Sequence, residues 1–355
     1  MGEILGIGIT HQPTLSAKQL LPVALRRALA DPLLPPDFRT GKAWTPRLLE
    51  EYGDDGGLEA CERHRKELIA EFARVREALD AFKPDVIVVW GDDQYENFKE
   101  DVMPQFCVFA SDEYTLTLPQ PRDGQPNVWN DPPGSTLPVR GHKAAGKFLA
   151  GALVEANFDV AYAYKPLHAD LGHAFGNTVL YLDWERRGFP YPMIPFTVNC
   201  YGRRIISDHG NAVPLVTEEP PDEYFDPLGP SPERCFQLGA ATARAFARSP
   251  WRVAICASAS WSHAFLTAKT YKLLPDLAAD RAMFEALKAG TFDLWRSKTL
   301  AEIEDSGQQE MLNWFCLAGA MDELKRLPQY AVMIESTVAN SNKVMAIYPP
   351  PANGR

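Results

Sequence analysis

From about Leu58 to Phe82, apolar residues recur at spacings of three and four (Leu68, Phe72, Val75, Leu79, Phe82), and Pro84-Asp85 then breaks the pattern. The residues that follow, Val86–Trp90, are continuously apolar. The first pattern is the buried face of a long helix. The second is a strand covered on both faces, as in a parallel sheet. A helix that hands over directly to such a strand points to an α/β fold, with a mostly parallel central sheet flanked by helices. Ile4–Thr10, Val160–Tyr164, Met193–Asn199 and Arg252–Ser258 read as further short strands. Lys143–Ala156, Glu233–Arg248 and most of Leu277–Leu324 read as helical. Residues 112–140, rich in Pro, Gly, Asp and Asn, read as a long excursion, and Pro220–Pro232 as another loop. There is no internal repeat and no low-complexity tract. The expectation is one domain over 1–355, with a mainly helical insertion at 16–82. That insertion either caps a pocket as a lid or packs on the sheet edge.

Composition narrows the function classes. With 355 residues, 46% of them hydrophobic, the chain can bury a sizeable core. A formal charge of −10, with no Lys/Arg block, argues against a nucleic-acid surface. The six cysteines are scattered with no CxxC pair, so reduced core thiols are expected rather than a disulfide framework. No apolar run approaches the roughly 18 residues of a membrane span, and no basic leader precedes Ile4. The protein is therefore expected in the cytoplasm, without membrane or nucleic-acid partners.

In open α/β sheets, ligands bind beyond the carboxyl ends of the strands. Three expected strands end in reactive polar residues: His11 after the first, Asp92-Asp93-Gln94 after the second, and Ser260-Trp-Ser-His263 after the strand at 252–258. A single histidine at a strand end is often only a surface or capping residue. Three such ends together suggest a catalytic site. The cluster His168-Ala-Asp170-Leu-Gly-His173 and Glu310, at the start of an apolar helix, are further candidates. Glu310 is equally explained as an acid favouring a helix dipole. Arg203 and Arg204 could pair a substrate carboxylate, and Cys61 and His64 read as surface or packing residues.

These segments resemble a known family. "GITHQP", "PDVIVVWGDDQYENFKEDVMPQFCV", "LGHAFGNT", "PFTVNCYG", "ASASWSHAF" and "EMLNWFCLAGAM" follow one another as in the LigB-like (type II) extradiol ring-cleavage dioxygenases. The resemblance runs from residue 2 to about 321, apart from most of 16–80. It implies a non-haem Fe(II) held by two histidines and a carboxylate, with open positions for a catechol and O2. It further implies that His11 and Glu310 are metal ligands, that His263 is the acid/base histidine, and that His173 is catalytic and binds the substrate oxygens. Asp93 is a further candidate for substrate contact. The implied partners are a small aromatic substrate, O2, and either further copies of the chain or a related subunit.

One position departs from the pattern. The family's second iron-binding histidine falls on Gln94, whether matched forward from Pro84 or backward from Phe98. A neutral amide oxygen is a poorer donor to Fe(II) than an imidazole. Three outcomes stay open: Gln94 ligates weakly, Asp92 or Asp93 takes its place, or the site holds another divalent metal or none. The corresponding functions are an extradiol dioxygenase, a metal-dependent hydrolase or C–C lyase on the same fold, and a non-catalytic subunit.

Overall fold

The computed structural model describes residues 2–121, 124–210, 215, 218 and 220–351. Its strands are β1 (Ile4–Ile9), β2 (Val86–Gly91), β3 (Phe106–Phe109), β4 (Glu113–Thr117), β5 (Thr136–Arg140), β6 (Ala161–Ala163), β7 (Met193–Val198), β8 (Val253–Ser258), β9 (Tyr330–Ile334) and β10 (Lys343–Tyr348). Its helices are α1 (Val23–Ala30), α2 (Pro36–Arg39), α3 (Pro46–Tyr52), α4 (Leu58–Phe82), α5 (Lys143–Glu155), α6 (His173–Leu182), α7 (Pro232–Ala247), α8 (Leu277–Ala289), α9 (Asp293–Arg296), α10 (Leu300–Asp305) and α11 (Leu312–Glu323).

Eight strands form one sheet in the order β6-β3-β7-β2-β8-β1-β10-β9. The middle four, β7-β2-β8-β1, are mutually parallel. Every residue of these four strands is buried, which is why they read as continuous apolar runs rather than alternating ones. β3 and β10 join antiparallel on either side, and β9 pairs antiparallel with β10.

The mostly parallel sheet matches the expectation, but three parts of the architecture were not anticipated. The excursion at 112–140 contains a two-stranded hairpin, β4 with β5. β3 is only four residues long, too short for periodicity to register. The antiparallel edge formed by β9 and β10 follows the helical last third and received no strand assignment.

Within 16–82, α4 buries Leu68, Phe72, Val75, Leu79 and Phe82 and packs against β1, β9 and β10. Cys61 and His64 are buried on the same helix. All six cysteines are free and buried. Among the described residues, no helix is long and apolar enough to cross a membrane.

Two close approaches fix the helices that carry site residues. Gly91, at the end of β2, has the Cβ of Ala174 only 2.8 Å from where its own Cβ would lie. Any side chain there would lift α6, and His173 with it. Gly8 in β1 receives the ring of Trp314, which would lie 2.0 Å from a Cβ at that position. Trp314 also donates from Nε1 to the carbonyl of Ala259, 3.0 Å away, locking α11 to the segment after β8. Leu312–Met321 is buried on every side, as befits a helix apolar all round.

Candidate metal centre and active site

All four parallel strands deliver a polar side chain beyond their carboxyl ends. β1 leads to His11, β2 to Asp92, β7 to Tyr201 and β8 to His263. His173, the first residue of α6, and Glu310, in the turn ahead of α11, meet them. Apart from His173, which is partly exposed, these residues are buried.

His11 is held by its Nδ1, 2.8 Å from the carbonyl of Ser258. A carbonyl only accepts, so Nδ1 carries the proton and Nε2 presents its lone pair. Nε2 lies 3.4 Å from Asp92 Oδ1 and 3.4 Å from Glu310 Oε2. Burial, helped by the nearby His173, pushes the His11 pKa down to about 3, so the ring is neutral. His173 is oriented by the same principle. Its Nδ1 lies 2.8 Å from Glu96 Oε2, and its backbone N–H donates to Glu96 Oε1 at 2.9 Å. Its Nε2 stands 3.9 Å from Asp92 Oδ2. Burial opposes charge on this ring, but the carboxylates of Glu96, Asp92 and Glu310 outweigh it and raise the pKa to about 10.

Four buried polar atoms at this point make no hydrogen bond: both carboxylate oxygens of Asp92, Oε2 of Glu310 and Nε2 of His173. Burying such atoms unpaired is costly, so they call for a partner. Donor atoms of His11, Asp92 and His173 all lie within 4.8 Å of one another. Two imidazoles and a carboxylate, each imidazole tethered through its other nitrogen, are the donor set and outer support of a divalent metal site. Burial raises the pKa of Asp92 and, with repulsion from Asp92, that of Glu310. A divalent cation would relieve both effects. The residues present therefore fit a metal.

Gln94 has a different role from that of a nearest donor. Its Nε2 donates to Tyr201 Oη and, at 3.2 Å, to Glu310 Oε1. Tyr201 in turn donates to Glu310 Oε1 at 2.8 Å. The amide thus fixes the Glu310 carboxylate. Asp93 spends its carboxylate on the backbone N–H groups of Glu96, Asn97 and Phe98, shaping the turn after β2. It is Asp92, not Asp93, that faces His11. His263 points Nε2 at Glu310 Oε1, 3.4 Å away, while its Nδ1 has no partner. Burial, reinforced by Lys343, lowers its pKa to about 3. His168 lies apart, paired with Asp101. Arg203 and Arg204 stack on Phe225.

Tyr201 and Glu96 were not singled out from sequence. The strand-end rule would have found Tyr201, three residues beyond β7. Glu96 gave no signal, because its role depends on α6 lying over the end of β2.

Asp280, near the start of α8, ties the segments of this site together. Fully buried, it accepts from Ser262 N at 3.2 Å, Gln308 Nε2 at 2.7 Å and Asn342 Nδ2 at 2.7 Å. These three donors belong to the loops that carry His263 and Glu310 and to the start of β10. Asp280→Ala would orphan all three donors and is expected to cost about 3 kcal/mol or more of stability. Denaturant unfolding of the variant checks this.

The pattern of the catalytic LigB subunit of aromatic ring-opening dioxygenases matches residues 53–345. The chain belongs to the LigB family. The match begins within the stretch left unplaced from sequence, so 53–80 is part of the LigB pattern and the His11 segment lies outside the matched residues. A 2,3-dihydroxyphenylpropionate/2,3-dihydroxicinnamic acid 1,2-dioxygenase of Paraburkholderia phymatum is 31% identical over 229 residues, 63% of this chain and 56% of the relative. Namesakes from Burkholderia vietnamiensis and Paraburkholderia xenovorans are each 29% identical, covering 40% and 56% of this chain and 42% and 50% of their own lengths. The LigB chain thus spans about half the length of the curated relatives it matches.

Proposed function

We propose that this protein opens the ring of an aromatic vicinal diol with O2 at a divalent metal, iron(II), held by His11, Asp92 and His173. The observation that carries this reading is the convergence of ligand atoms from these three residues, those of Asp92 and His173 without a hydrogen-bond partner, beside the strand ends of a LigB chain. The names of the relatives support a phenolic diol as substrate. Iron(II), when bound, would bring diol and O2 together and pass electron density from one to the other.

The chain's own residues then do the rest. Ser258 and Glu96 keep Nε2 of the two histidines turned toward the metal. Glu310 adds a second carboxylate facing His11, held in place by Tyr201 and Gln94. His263, neutral at ordinary pH, takes a proton from a diol hydroxyl and returns it during ring opening. Two cavities adjoin the cluster. One, of about 590 Å³, is lined in part by Gln12 and Gln94. The other, of about 320 Å³, is lined in part by Glu96 and His173.

The test is oxygen uptake by protein loaded anaerobically with Fe(II), across a panel of catechols. Uptake of about one O2 per diol is expected, abolished by a chelator and in His11→Ala. Iron-loaded protein that turns over none of the panel would overturn the reading.

A further inference from the structure

The family match begins at residue 53, yet one wall of the 590 Å³ cavity is built by residues that precede it. Val23, Ala24 and Ala28 of α1 supply that wall. Phe265, Tyr271 and Val338 face it from the other side. The cavity comes up to the cluster at Gln12, the residue after His11, and at Gln94, which donates to Glu310. Its volume falls in the range of pockets that enclose whole small molecules, and exceeds what a single diol ring would fill.

We infer that this cavity receives a bulky apolar substituent on the aromatic diol, such as a second ring, and that α1 is a specificity element. The inference rests on the ring-opening function proposed above. The lining is mostly apolar. Its charged members, Arg27, Asp31 and Lys272, carry both signs. The Asp31 carboxylate is already engaged by the N–H groups of Leu33 and Leu215. Such a wall gains affinity by burying apolar surface rather than by pairing one charge. α1 buries only Leu25 and Ala28, so its outer positions tolerate change without disturbing the core. Neither of the two cavities beside the cluster is lined by α4, which packs on the sheet. Within the segment at 16–82, the part beside the pocket is therefore α1 and its flanks.

The experiment is anaerobic calorimetric binding of catechol and 3-phenylcatechol to the Fe(II)-loaded full chain, which needs no turnover. The wild type is expected to bind 3-phenylcatechol about 10- to 100-fold more tightly, from the apolar area of the second ring. Ala24→Trp, which fills the cavity from a half-buried position, is expected to erase most of that ratio. Val23→Trp, at a more exposed site, serves as a second blocking variant should the first fail to fold. Equal affinity for the two diols, or a preference that survives both tryptophans, overturns the inference while leaving ring opening intact. Failure of both diols to bind iron-loaded protein removes the ring-opening reading, and this inference with it.

Discussion

Asp92→Asn is expected to lower affinity for Fe(II) by about 100-fold or more, leaving the protein as purified without metal and without oxygen uptake. The carboxylate sits beside the lone pair of His11 and below Nε2 of His173, 3.4 Å and 3.9 Å away, with neither oxygen hydrogen bonded. Outer-sphere partners of metal ligands are already worth about 10- to 100-fold in affinity, so loss of a charged ligand should exceed that. The substitution is nearly isosteric, and it replaces a buried carboxylate whose pKa burial has raised. The fold should therefore survive, and the apoprotein should be at least as stable as the wild type. Gln94→Ala is the informative comparison. Gln94 occupies the place where the family resemblance expects a histidine ligand, yet its amide N–H groups are turned to Glu310 and Tyr201. Holding Glu310 in place is the role its hydrogen bonds give Gln94. Gln94→Ala should therefore keep near-stoichiometric iron, as elemental analysis of anaerobically purified protein would reveal. Metal retained in Asp92→Asn but lost in Gln94→Ala would reverse the assignment of the two residues.

The contrast between Asp92 and Gln94 also marks what a sequence can disclose about such a site. The placement of His11 and His263 was legible because each follows a short continuous apolar run that reads as a buried strand, and that of Glu310 because it precedes an apolar helix. The position of a residue relative to a strand end is a property of the sequence. The choice between Asp92, Asp93 and Gln94 was not legible. Three consecutive polar residues after Gly91 leave the strand in different directions, and the turn decides which one looks inward. Here Asp93 is consumed by three backbone N–H groups of that turn, and Asp92 is left to face His11. His173 was singled out in the cluster with His168 and Asp170, and the resemblance implies that it is catalytic and binds the substrate oxygens. Its place in the donor cluster depends on Gly91 admitting α6 to within contact of β2. The antiparallel edge formed by β9 and β10 went unseen for a different reason. It is the outer part of the sheet, reached only after the chain has passed through a run of helices. The stretch at 16–82 was read as mainly helical, but only tertiary contacts distinguish α4, packed on the sheet, from α1, set against a cavity.

His263→Gln should separate proton transfer from metal binding. The expected result is a fall in kcat of about 10²- to 10⁴-fold, the usual worth of a positioned acid/base group, with iron content and KM close to wild type. His263 stands outside the trio whose donors converge within 4.8 Å, so with the ligands proposed above, removing its imidazole would take none of them from the metal. It does lie 3.4 Å from Glu310, and its Nδ1 is buried without a partner. Burial and Lys343 oppose charge on this imidazole and so keep it neutral in the resting protein, which leaves a lone pair free toward a diol hydroxyl. Glutamine keeps hydrogen-bonding capacity at similar length but cannot carry a proton at accessible pH. His173 is the competing candidate for this role. The Glu96 carboxylate on its Nδ1 and the two carboxylates on the metal side favour its charged form, despite burial, when no metal is bound. A ring in that state has no free lone pair with which to act as base, and on a metal its Nε2 would be occupied. Steady-state oxygen uptake, paired with metal analysis of the same preparations, decides between them. A kcat within about threefold of wild type in His263→Gln would move the proton-transfer role to another residue.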